Sequence, residues 1–250
     1  MAHRQRPVAH LFLRAFAATL VLATLAAAPA SAAGKPGYPT TVFWGGATWQ
    51  VKTSRSAVGP GPNVFAASNV WVDASTGDLH LGIARTGSGT WACSEVIGPT
   101  SHGYGTYTFV LDSRVDSLDP NVVLGLFTWS DRAPYAHREI DIELARWGTG
   151  LDPTNGQYVV QPASTANHLF RFAQGPSTPS IEQFTWRAGS VSWRTLDASG
   201  TTAASYSYSG RDVPVPGDER VHLNLWLYNG AAPANGAPVD VLVRSFTFTP

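Results

Sequence analysis

The chain is poor in charge. Lys, Arg, Asp and Glu make up 14% of its 250 residues, with 17 basic against 17 acidic side chains. This scarcity excludes charged disordered tails, coiled coils with charged flanks and polybasic nucleic-acid binding surfaces. There is one cysteine, Cys93, so an intrachain disulfide and a thiolate metal cluster are both excluded. A lone cysteine in such a chain is expected to be a small buried hydrophobe. Long helices are excluded too, because beyond residue 32 no stretch free of Gly and Pro exceeds 14 residues. Nothing beyond residue 32 is long and apolar enough to span a bilayer. The chain has no G-x-S-x-G, Walker lysine or H-E-x-x-H, which removes serine-triad hydrolases, P-loop enzymes and zincins.

What is present begins with an export signal. Arg4, Arg6 and Arg14 precede or open an Ala-rich apolar run, and Ala30-Ser31-Ala32 reads as a cleavage site. The expected division is a signal peptide over 1–32, a flexible leader over 33–41 and a single domain over 42–250. The mature chain then carries 14 basic and 17 acidic residues. A mildly acidic surface recruits neither nucleic acid nor anionic lipid. The expectation is a secreted, extracellular monomer with no membrane contact after cleavage.

The mature segment is rich in Gly, Pro and aromatics, with nine Trp in the chain. Between the breaks lie a dozen short segments rich in β-branched and aromatic residues. They include 79–83, 106–111, 122–128, 139–144, 157–161, 221–227 and 239–248. Many alternate apolar with polar residues, the period of a half-buried strand. So many short strands, separated by turn signals, predict an all-β sandwich or jelly roll.

The sharpest pattern is Glu139-Ile140-Asp141-Ile142-Glu143. On a strand, alternate residues share a face, so the three acids line one side and the two isoleucines face the core. Two full charges about 5 Å apart repel by roughly 3 kcal/mol at an effective dielectric near 20. At least one carboxyl is therefore expected to hold its proton near neutral pH. A protonated carboxyl beside an ionised one is what retaining glycoside hydrolysis requires. Taken alone, the triplet also fits a solvated acidic face or a calcium site.

Its context points to a family. Gly61 to Phe65, Asn69-Val70, Ser94-Glu95-Val96 with Gly103-Tyr104-Gly105, and Leu126 to Trp129 stand ahead of or around the acidic strand. Phe184-Thr185-Trp186, Val191-Ser192-Trp193 and Leu223-Asn224-Leu225-Trp226 follow it. In order and spacing these blocks resemble glycoside hydrolase family 16, and within it the lichenases. The resemblance implies a concanavalin A-like jelly roll of two curved antiparallel sheets, acting on a polysaccharide of β-glucan type without a cofactor. It implies Glu139 as nucleophile, Glu143 as general acid/base and Asp141 as the residue that tunes the nucleophile. It further implies Asn63, Glu95, Phe127, Trp129, His137, Asn224 and Trp226 as sugar-binding positions. No metal is assigned. His137 and Arg138 depart from the family pattern, as do Ile97, Val159 and Gln161, and Arg146 or Trp147 is expected to enter the cleft. The remaining histidines, His222 among them, read as structural. A non-catalytic carbohydrate-binding protein on the same fold and a transglycosylase with the same acid pair remain as alternatives.

Overall fold

Short alternating segments between Gly and Pro breaks form strands throughout the computed structural model, which describes residues 37–250. The expected signal peptide over 1–32 lies outside the described residues. The strands are β1 (Gly37–Trp44), β2 (Ala47–Thr53), β3 (Val64–Phe65), β4 (Val70–Val72), β5 (Leu79–Arg85), β6 (Trp91–Ile97), β7 (Gly105–Leu111) and β8 (Val122–Trp129). Then come β9 (Ile140–Ala145), β10 (Gly156–Val160), β11 (Leu169–Phe172), β12 (Ser180–Arg187), β13 (Ser190–Leu196), β14 (Thr202–Ser209), β15 (Arg220–Leu227) and β16 (Val239–Thr249). Helix among the described residues is limited to single 3-10 turns of three residues.

Two antiparallel layers result. The front layer runs β11-β10-β9-β8-β15-β6, with β2 added to β6 and β1 to β2. The back layer runs β5-β16-β7-β12-β13-β14, with β4 on β5. A short β5–β6 pairing, Ala84 with Ala92 and Arg85 with Trp91, joins the layers at one edge into a continuous curved jelly roll. Inward side chains of both layers fill the space between them. Leu124, Leu126, Ile140, Ile142, Tyr158, Leu223 and Leu225 come from the front; Leu79, Leu81, Tyr107, Phe109, Phe184 and Trp186 come from the back. All are buried, and each such side chain contributes roughly 1.5–3 kcal/mol by leaving water. Cys93 is buried among them as expected.

The expected leader over 33–41 is corrected from Gly37 onward, where β1 starts and pairs with β2 as far as Thr53, while 33–36 lie outside the described residues. Gly45 and Gly46 have φ of 59° and 80°. Two left-handed residues make the tight turn whose twist matches flanking strands, so Tyr38 to Trp44 is folded back as a hairpin. Trp44 and Trp49 then bury together, with ring centroids 5.2 Å apart.

The register places the site. Ile140, Ile142 and Leu144 of β9 face the core, which turns Asp141 and Glu143 to the outer front face. Across the layer, Arg171, Gln157, Glu143, Gly125, Asn224 and Glu95 stand in one row over six strands. Asp141, Phe127, His222 and Ile97 form the next.

Candidate active site

From Glu143 to Glu95 and from Asp141 to Ile97 these rows are the floor of a cavity of about 530 Å³, walled by Lys52, Gly59, Pro60, Trp129, Ser130, Asp131, Glu139, Asp218, Arg220 and Trp226. All three acids of the motif reach it. Glu139 sits just before β9, where the chain leaves a 3-10 turn over Ala136–Arg138. Burial lifts all three carboxyls above the usual carboxylate range, Glu139 to about 8 and Glu143 to about 7, and repulsion from Glu143 adds to the shift at Glu139. Asp141 is the most enclosed, and burial and the two glutamates together push it well up. A hydrogen bond joins Asp141 to Glu139, favouring the proton on Asp141 and the charge on Glu139. The Gln161 amide donates to Asp141 Oδ2 at 3.1 Å. The Gln157 amide donates to Glu143 Oε2 at 2.7 Å, and Gln157 is itself held by Arg171 at 3.2 Å.

A second polar cluster stands across β15, β6 and β2. Glu95 accepts from Lys52 Nζ at 2.7 Å and from His222 Nδ1 at 2.9 Å. Burial works to raise the Glu95 carboxyl, but Lys52 and His222 outweigh it and hold the carboxyl below its ordinary range. Burial lowers His222 below the ordinary histidine range, so its ring is neutral near pH 7. A carboxylate can only accept, so Nδ1 carries the proton and Nε2 remains an acceptor. Asn224 is 2% exposed and its Oδ1 has no partner. Gly125 makes room for it, since a Cβ there would meet Asn224 Oδ1. An unpaired buried acceptor on a cleft floor is open to a donor from outside the chain, such as water or a ligand hydroxyl.

Of the expected sugar positions, Glu95, Phe127, Trp129, Asn224 and Trp226 line the cavity. Asn63 and His137 do not. The Asn63 amide donates to the Pro60 and Leu227 carbonyls, both at 2.8 Å, and its Oδ1 accepts from the Cys93 thiol. Its polar atoms are spent inside the protein, where they tie down the Gly59-Pro60 rim. His137 lies flat on Trp129, with centroids 4.1 Å apart and planes 4° apart, and so covers one face of that ring. Arg146 and Trp147 also stay out of the cavity: Arg146 binds the Asp116 carbonyl, and Trp147 packs on Trp226 and Tyr228. The structure adds Lys52, Arg220 and His222 to the wall. Lys52 and Arg220 gave no signal in the sequence, while His222 stands two residues before Asn224 and so shares its outward face.

No family model and no curated protein sequence matches the chain. Solved structures do. The Bacillus licheniformis β-glucanase is 21% identical, with a TM-score of 0.63 over 87% of this chain and 99% of its own. A prokaryotic β-1,3-1,4-glucanase (lichenase) from a mouse hindgut metagenome is 22% identical, with a TM-score of 0.61 over 83% and 95%. A glycoside hydrolase family 16 endo-glucanase from Bacteroides ovatus is 13% identical, with a TM-score of 0.61 over 80% and 94%. The chain has the family 16 glucanase fold. At these identities the likeness speaks for the fold, and what the cleft does rests on its own residues.

Proposed function

We propose that the protein is an exported retaining endo-β-glycosidase that hydrolyses a neutral polysaccharide of β-glucan type. The observation that carries this reading is the carboxyl trio on the cleft floor, where burial and mutual repulsion keep protons on acids at neutral pH. Interacting carboxyls titrate as a set. The reactive form of the set is the singly ionised one with its charge on Glu139, which the hydrogen bond from Asp141 favours. Glu143 keeps its proton and faces the same cavity. Glu139 attacks the anomeric carbon while Glu143 protonates the departing glycosidic oxygen. Glu143 then takes a proton from water, which attacks the glycosyl-enzyme and frees Glu139.

Phe127, Trp129 and Trp226 offer flat rings for the apolar faces of sugar rings, and Asn224 Oδ1 and His222 Nε2 offer acceptors for hydroxyls. A neutral glycan fits the electrostatics. Asp131 and Asp218 stand on the wall with the trio, and Lys52 is already paired with Glu95. Export is supported by the basic, apolar and Ala-x-Ala sequence that ends at Ala32.

The test is digestion of mixed-linkage β-glucan, laminarin, xyloglucan, agarose and carrageenan by residues 33–250, with Glu139→Gln as control. Oligosaccharides released by the wild type alone are expected, and a sugar acceptor added to the assay separates hydrolysis from transfer. Retention on a glycan without release from any of them would instead mark a binding protein.

A further inference from the structure

The segment that delivers Glu139 to the cleft has an uncommon backbone. Tyr135, Ala136, His137 and Arg138 have φ of 56°, 47°, 63° and 54°, four left-handed residues in succession, none of them glycine. Residues with a Cβ enter this region singly and at a cost, so such a run persists only where its surroundings hold it.

The holds are visible on both sides of the turn. The His137 ring lies flat on Trp129, its Nδ1 is 2.8 Å from the Ser130 carbonyl, and its own carbonyl accepts from the Ser130 amide at 2.8 Å. Arg138 reaches the other way, into the loop between β14 and β15. Its Nε donates to the Val215 carbonyl at 2.9 Å and stands 3.9 Å from the buried Glu219 carboxylate. The guanidinium fills the space that a side chain at Gly217 would need, since a Cβ there would lie 2.5 Å from Arg138 Nε. Thr128 closes the frame: its Oγ1 donates to the Arg138 carbonyl at 2.7 Å and accepts from the Ile140 amide at 3.2 Å. These two bonds bracket Glu139.

We infer that His137 and Arg138 are positioning residues that lock this left-handed turn, Arg138 fixing the main chain of Glu139 and His137 fixing the ring of Trp129. This rests on the proposed role of Glu139. Neither side chain lines the cavity. Both act through a neighbour that does.

Hydrogen exchange at the Ser130 and Ile140 amides, together with steady-state kinetics on mixed-linkage β-glucan, tests the inference in the full mature chain. Arg138→Ala and Gly217→Ala should each speed exchange at both amides. Each should lower kcat on the order of ten-fold or more with little change in KM, as expected when a reacting group is displaced. The double variant should be no worse than Arg138→Ala alone, because both changes remove one anchor. His137→Ala should raise KM more than it lowers kcat, by freeing Trp129. If Arg138→Ala does not fold, Arg138→Lys, which keeps stem and charge but loses the fork, carries the same expectation. Faster exchange with an unchanged kcat, or additive losses in the double variant, would overturn the inference. A wild type that cleaves none of the panel glycans sinks the Glu139 assignment instead, and exchange alone then decides the clamp: unaltered exchange in Arg138→Ala rejects it.

Discussion

Three carboxyls in alternate positions, two on β9 and one just before it, carry the proposed chemistry at the scale of the residue. Burial raises Glu139 and Glu143 to about 8 and about 7, and repulsion from Glu143 adds to the shift at Glu139. The proposed mechanism needs charge on Glu139 and a proton on Glu143, so the rate should rise with the first ionisation of the set and fall with the next, both above the usual carboxylate range. A bell-shaped profile of kcat/KM near neutrality is expected. A maximum below pH 5, the profile of unshifted carboxyls, would count against the assignment. The sequence made the triplet and its outward face legible, because period two needs only the adjacent isoleucines to set it. It did not disclose Asp141 as the enclosed proton holder, since enclosure comes from Val159 and Phe127 on the neighbouring strands and from Gln161 just past β10. Nor did it separate Asn63 from Asn224. Both are buried asparagines, and only the partners of their amides tell them apart.

The strands carry a further buried acid, on the core side. Glu182 points inward from β12, where Thr195 and Ser180 donate to its carboxylate and Thr195 also meets Tyr158 of the front layer at 2.7 Å. Burial raises this carboxyl to about 7 against 4.5 for the free side chain, despite the bonds from Thr195 and Ser180. A folded-state value above the unfolded one means that stability is full below pH 4.5 and is lost as pH rises through 7. The loss amounts to roughly 3 kcal/mol at most. Glu182→Gln keeps an acceptor and removes the charge, so its melting temperature should gain on the wild type as pH goes from 5 to 8. Scanning calorimetry across that range checks this, and a constant gap between the two proteins would refute it. At this scale the sequence was readable wherever alternation was clean, as in β7, β15 and β16. It failed for β1, β2 and β6. Gly37 to Thr41 looked like a leader because Pro36 and Pro39 interrupt it, and β6 lies in a block whose polar Ser94 and Glu95 hide its inward residues.

Across the whole molecule, two layers meet over one core and share strands at the β5–β6 edge, so opening any part of that core should require opening most of it. Cys93 reports on this. Its thiol is fully buried on β6, burial pushes it up to about 12, and it donates to Asn63 Oδ1. Labelling by an aromatic disulfide reagent should therefore track global unfolding in urea. Fast labelling of the native protein would reveal local opening at the Gly59-Pro60 rim, which Asn63 secures. The sequence by itself determined the all-β class, the turn-rich layering and the acidic strand. Each of these is written in local periodicity and in the places where Gly and Pro forbid helix. Only the tertiary structure decided which side chains meet. The Lys52-Glu95-His222 cluster joins three strands distant in the chain, and the clamp joins Arg138 to a glycine 79 positions further along. Contacts of that range depend on strand register and on space left by absent side chains, neither of which is a property of neighbouring residues.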